Sequence, residues 1–418
     1  MVKCHYAASC QAEAGGADLP EDCWIGDARE GMIDSMKTAI HWFRRDFRIT
    51  DNTALAAAAR EAEEVVPVYV VSKWKKEHRW TGTARQTFLC GSLASLDGNL
   101  RAIGSRLIVR EGDAEAALVK LARETKAEAV FTNRDPDVFG RGVEMRVAKM
   151  LAEDGRELRT FQDAAMHERD EVKTGAGGNF RVFTPYSRAW AKLDKPSAGP
   201  ALKKLSTPEG VASGDLPTPA HWGLAEFSGG LEPGEKAARE RLRKFLQGPV
   251  FDYGATRDLM GEDGTSRLSQ DLRHGLLSIR EVYHKAKAAA EGADADGRNN
   301  VWKFISELIW REFYFQILWH YPEVLEQEFN AKYRGMEWDQ DEKKYRAWCE
   351  GQTGFPMVDA AMRQLNATGY MHNRARMITA MFLTKDLHLD WRLGERYFMQ
   401  TLIDGEIASN NGGWQWSA

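Results

Sequence analysis

The chain has 418 residues, 43% of them hydrophobic, and a net charge of −4, enough length for two or three domains with substantial cores. It is no basic nucleic-acid coat, and near-neutrality by itself favours a small-molecule enzyme; any nucleic-acid site must be a local positive patch. No apolar run approaches membrane-spanning length, and the five cysteines show neither a disulfide framework nor zinc spacing, which fits a reducing, cytoplasmic setting.

Residues 1–35 carry no periodicity and no secretory signal, and are expected to be a disordered extension or a mis-assigned start ahead of Met36. Between residues 36 and 165, strand-like runs at 38–43, 65–71, 106–110 and 129–132 alternate with helix-like stretches at 54–63, 85–103 and 114–124. That alternation predicts a parallel, Rossmann-like sheet covered on both faces. No G-x-G-x-x-G follows the first strand, which counts against a dehydrogenase. Residues 166–235 are expected to be an inter-domain linker, rich towards their end in Pro, Gly, Ser and Thr. From 236 to 418 the chain reads as all-helical, with segments at 236–247, 302–320, 359–366, 371–387 and 394–402. The fold class is therefore α/β followed by an all-helical domain.

Four constellations carry chemistry. Tyr253 precedes Gly264-Thr-Ser-Arg-Leu-Ser269, a hydroxyl cluster at an expected helix start, suited to capping free N–H groups or receiving phosphate. Glu307, Trp310, Arg311 and Tyr314 fall on one helical face that is polar and aromatic; it reads either as a surface Glu307–Arg311 pair or as a cavity wall. Asn373, Arg376 and Met377 share another face, with Arg374 directed elsewhere. Asp404-Gly-Glu-Ile-Ala-Ser-Asn410-Asn-Gly-Gly-Trp-Gln-Trp416 crowds carboxylates, amides and indoles beyond packing needs, and Gly412 and Gly413 allow the backbone to approach something flat. Tryptophan is itself the compositional outlier, with 14 in the chain.

Together these segments resemble the photolyase/cryptochrome family, most closely its microbial cyclobutane-dimer photolyases. The match rests on Trp310-Arg-Glu-Phe-Tyr314, Val358-Asp-Ala-Ala-Met-Arg-Gln-Leu365, Met371-His-Asn-Arg374 and Asn410-Asn-Gly-Gly-Trp-Gln-Trp416, with His41-Trp-Phe-Arg-Arg-Asp-Phe-Arg48 similar to the family's opening strand. The resemblance implies an amino-terminal antenna domain and FAD in the helical domain. It would be held by Tyr253, Thr265, Ser266, Arg267, Leu268, Ser269, Phe304, Glu307, Arg311, Asn373, Asp404, Gly405, Glu406 and Asn410. Phe304 stands where relatives often have Trp, and Glu406 where they often have Asp. Asn410, facing flavin N5, favours repair over the cryptochrome pattern of Asp or Cys.

The resemblance further implies light-driven electron donation from reduced FAD to a pyrimidine dimer flipped out of damaged DNA. Trp310, Trp416, Glu307, Asn373 and Met377 would contact the dimer. Arg257, Arg311, Tyr314 and Arg374 would join them in DNA binding, aided by an excess of Lys and Arg along an expected helix at 363–396. Trp414, Trp391 and Trp338 would relay electrons to the flavin. Where folate-binding relatives have an Asn-Glu pair this chain has Phe139-Gly140, which turns the antenna expectation towards a deazaflavin or flavin, or none. Such a protein is expected to act as a monomer away from membranes. The family's chain continues past the Trp-Gln-Trp motif, so the helical domain is expected to be incomplete. The rivals are a cryptochrome-type photoreceptor without repair and an α/β nucleotide-binding protein without light chemistry.

Overall fold

The computed structural model describes residues 35–75 and 78–417; the expectation for 1–34 lies outside the described residues. Five parallel strands, β1 (Met36–Phe43), β2 (Ala62–Val71), β3 (Ile108–Glu111), β4 (Ala129–Asn133) and β5 (Glu157–Phe161), form one sheet in the order β3-β2-β1-β4-β5. Side chains alternate across it as period-two geometry requires. Ile40, Trp42, Val66, Val68 and Val130 pack against Leu118 and Leu151 of the helices Ala114–Thr125 and Val138–Glu153. Ala39, Phe43, Val65 and Phe131 face a larger core shared with Leu55, Leu93 and the helical half. The strand order reverses at β1, so the hollow at the carboxyl ends of β1 and β4 is the topological switch point.

Two elements of this half escape sequence pattern. β5 is an edge strand with a single buried residue, Leu158, and shows no apolar alternation. The helix Val138–Glu153 carries Gly140 and Gly142 in its first turns, which mask its periodicity.

The helical half is organised around Ala295–His320, whose first two turns are polar and are set by Asp294, the N-cap that accepts from the amide of Gly297 at 2.8 Å. The expected single helix across 363–396 is instead three elements. Pro356–Thr368 stops at Gly369, which is left-handed (φ 66), and a side chain there would press on Ala84. Asn373–Met381 follows, then a wider turn at Phe382–Asp386, then Trp391–Thr401, started by Asp390. Trp348, Met362, Leu383, Trp391, Phe398 and Trp414 form the core that these pieces share.

Segment 166–235 is more than a composition-biased connector. It contains the helix Phe183–Trp190, and Trp190 is buried with its indole N–H donating to Glu312 at 2.7 Å. Glu312 also accepts from the amides of Met166 and His167. Further on, Trp222 is buried and stacks on Trp74 at 5.7 Å. Aromatic anchors hold a sequence whose Pro and Gly content suggests looseness.

Candidate cofactor and substrate site

A cavity of about 340 Å³, the size of small-molecule sites, opens in the helical half. One wall is the long helix, which presents Phe304, Glu307, Trp310, Arg311 and Tyr314 from one face. The i, i+3, i+4, i+7 spacing read from sequence therefore places these side chains together. The second wall is the start of Asn373–Met381, with Asn373, Arg376 and Met377 facing in while Arg374 turns out to pair with Asp258 at 2.7 Å. Tyr253 and Thr265, Ser266, Arg267, Leu268 and Ser269 form the third side, and Asp404, Gly405, Glu406, Asn410 and Trp414 close the fourth.

Local expectations change in three places, and the indoles fall together. Glu307 pairs with Arg257 at 2.8 Å, so the alternative of a surface pair with Arg311 is set aside. The hydroxyl cluster does not cap a helix: Ser269–Arg273 has five residues, and its N-cap, Leu268, makes no side-chain cap bond. Gly412 approaches a ring of the chain itself, since a Cβ there would come within 2.1 Å of Tyr314, whereas Gly413 lines open space. Trp414 packs on Phe398 at 5.2 Å and Trp348 at 6.3 Å, with Trp391 in the same apolar cluster and Trp338 packed at its margin.

Charge is concentrated behind the cavity. Glu406 receives Arg45 from the end of β1, Arg311 at 3.5 Å and Arg273 at 3.9 Å. Arg85, from the helix Thr83–Ala102, donates to the carbonyl of Gly405 at 2.6 Å. Burial pushes the Arg85 guanidinium down to about 9, helped by its neighbour Arg273, and that of Arg311 to about 10. Asp404 is buried and pairs through Oδ2 with Arg376 at 2.8 Å. These arginines other than Arg311 are absent from the sequence-level site. Arg376 was legible as a member of the Asn373 face, but Arg45, Arg85 and Arg273 lie in no shared motif with the cavity residues.

The lining fits a flavin dinucleotide. Asp404 Oδ1 and Trp414 Nε1 are buried without a hydrogen-bond partner among the described residues, an acceptor and a donor awaiting a ligand. Arg267, Arg273 and Arg311 also line the cavity, cations that suit an anionic ligand. Asn410 gives its amide N–H to the carbonyl of Glu395 at 3.1 Å, which leaves its oxygen to accept from the cavity side. At the mouth, Trp310 and the 68% exposed Trp416 meet edge to face at 5.8 Å. Burial pushes the Glu307 carboxyl up, with Arg257 pulling the other way.

A parallel α/β sheet joined to a helical, cofactor-sized cavity with unsatisfied polar walls defines a two-part flavoprotein. Residues 39–205 match the DNA photolyase family model, and residues 304–418 match that of the FAD binding domain of DNA photolyase. A deoxyribodipyrimidine photo-lyase from Synechococcus sp. is 38% identical over 390 residues, covering 91% of this chain and 80% of that one. Among solved structures, a bacterial class III photolyase from Agrobacterium tumefaciens superposes with TM-score 0.85 at 36% identity, covering 94% of this chain and 81% of its own. A Synechocystis sp. cryptochrome gives TM-score 0.84 at 28% identity, covering 92% and 82%. The chain belongs to the photolyase/cryptochrome family. It is a flavoprotein lyase of the DNA-repair kind, and no helix among its described residues is long and apolar enough to cross a membrane.

Proposed function

We propose that the chain repairs cyclobutane pyrimidine dimers in DNA with light. The observation that carries this reading is the cavity mouth, where Trp310 and Trp416 flank walls bearing Glu307, Asn373 and Met377. When bound, fully reduced FAD supplies the light-excited electron that opens the two cyclobutane bonds and is then returned. The protein's own contribution is position and electrostatics. Thr265, Ser266, Arg267, Leu268 and Ser269 hold the phosphate region, while Tyr253, Phe304, Arg311, Asn373, Asp404, Gly405 and Glu406 enclose the rest. Asn410, its N–H given to Glu395, would offer its amide oxygen to the flavin ring.

The extruded dimer stacks on Trp310 and Trp416, contacts worth about 1–3 kcal/mol per base. Asn373 and Glu307 hydrogen-bond to its imide edge and Met377 packs against it. Glu307, with Arg257 paired to it at 2.8 Å, would stabilise the negative charge that develops on the dimer. Arg257, Tyr314 and Arg374 hold the surrounding strand. Trp414, Trp391 and Trp338 carry oxidising equivalents outwards. Residues 36–165 form the antenna domain and 236–418 the flavin and DNA domain, in a cytoplasmic monomer. The antenna is a deazaflavin, a flavin or absent, since a side chain at Gly140, where the folate pattern requires one, would have to displace Asp135.

The test is repair of an oligonucleotide carrying one thymine dimer, with and without blue light. Restoration of intact thymines under light alone is expected. A flavin-loaded protein that leaves the dimer untouched overturns the reading and points to a cryptochrome. In Glu307→Ala, flavin stays bound and the repair yield per bound lesion falls; an unchanged yield refutes the role given to Glu307.

A further inference from the structure

Trp310 has one face already covered. Phe183 lies parallel to it, with ring centroids 3.6 Å apart and planes 6° from parallel. Trp310 lines the cavity and Phe183 does not, so the stack takes the indole face turned away from the ligand space. Phe313 stands edge-on to both rings, at 5.6 Å and 84° to Trp310 and at 5.8 Å and 79° to Phe183, and forms a floor beneath the pair. Turning the indole about its side-chain bonds would drive it into one ring or the other.

The partner ring is itself fixed. Phe183, Tyr186 and Trp190 occupy one face of the short helix Phe183–Trp190. Tyr186 packs on Phe313 at 5.3 Å, and the indole N–H of Trp190 donates to Glu312, two residues beyond Trp310 on the long helix. The element that carries Phe183 is thus clamped at both ends to the element that carries Trp310. A segment that composition marks as connector supplies the back wall of the cavity mouth.

We propose that Phe183 is a positioning residue that fixes the plane of Trp310 and so sets how well the protein tells dimer-bearing from intact DNA. The inference rests on the reading of Trp310 as the surface that receives the dimer. A side chain already held in place loses less freedom on binding, and a parallel aromatic partner is what holds it.

The experiment measures dissociation constants in the dark, on flavin-loaded protein, for an oligonucleotide with one thymine dimer and for the same strand without it. Phe183→Leu keeps apolar bulk but removes the flat partner, and Phe183→Tyr restores it. Phe183→Leu should weaken dimer binding about 3- to 10-fold while intact-strand binding, flavin content and melting temperature hold, and Phe183→Tyr should bind as wild type. If Phe183→Leu binds the dimer normally while Trp310→Ala binds it weakly, the proposal fails and the function stands. If Trp310→Ala also binds normally, the reading of the mouth fails first. Equal losses for both strands, loss of flavin, or no rescue by Phe183→Tyr would mark Phe183 as structural and overturn the proposal.

Discussion

At the switch point of the sheet, the hollow that α/β proteins commonly offer a ligand is filled by the chain's own charges. Arg44 pairs with Glu144 at 2.5 Å and Asp135 at 3.2 Å, and Arg45 reaches Asp135 at 3.1 Å and Asp137 at 3.4 Å. In the helical half, the cavity keeps Asp404 Oδ1 and Trp414 Nε1 unpaired among the described residues. The two regions join at Glu406, which Arg45 contacts from the sheet and Arg311 from the long helix. Arg45 Nε and His41 Nδ1 at the switch point also lack partners among the described residues, so what sets the helical cavity apart is that its unpaired groups line open space. The contrast points to the helical cavity as the side open to a ligand.

The largest effect should come from the seam. Arg45→Met leaves Asp137 without its cation and takes one of several from Asp135 and Glu406, and removing one partner of buried ion pairs costs up to about 3–5 kcal/mol. Urea unfolding that shows such a loss would establish the seam as a structural joint; a neutral result would break the contrast at its hinge. Next, Asp404→Asn weakens the buried pair with Arg376 and removes a carboxylate from the cavity wall. Hydrogen bonds to charged groups are worth about 1.5–3 kcal/mol, so FAD affinity of the apoprotein should fall about 10- to 100-fold by fluorescence titration, with the fold retained. Trp310→Ala should cost about 1–3 kcal/mol in dimer binding and leave FAD affinity alone, separating the mouth of the cavity from its depth.

The smallest effect concerns Glu395, buried behind Asn410 and Asn411. Burial pushes its carboxyl up to about 7, against the hydrogen bond from Asn411. A carboxyl whose affinity for protons rises on folding contributes stability that is complete below its unfolded value and lost as pH rises through about 7. Glu395→Gln removes that dependence, so the gap in melting temperature between variant and wild type should widen in favour of the variant from pH 5 to pH 8. A constant gap would show that Glu395 titrates as it does in the unfolded chain.

What the sequence made legible follows the range of the interactions. Glu307, Trp310, Arg311 and Tyr314 share a helix, so their periodicity alone brings them to one wall, and Asn373 and Met377 follow the same rule on theirs. Arg45, Arg85 and Arg273 converge behind Glu406 from distant parts of the chain, and no local spacing encodes such a meeting. The expected helix across 363–396 is broken by the backbone at Gly369 and Asp390, close to the gaps between the segments 359–366, 371–387 and 394–402. Phe183 went unread because its neighbours look like linker, and only its stack on Trp310 shows otherwise.

The account stands or falls on the occupant of the helical cavity, and an absorption spectrum of the purified protein, before and after illumination with a reductant, tests it most directly. Flavin bands that bleach to the fully reduced form under light are predicted. A colourless protein that also takes up no added FAD would contradict it.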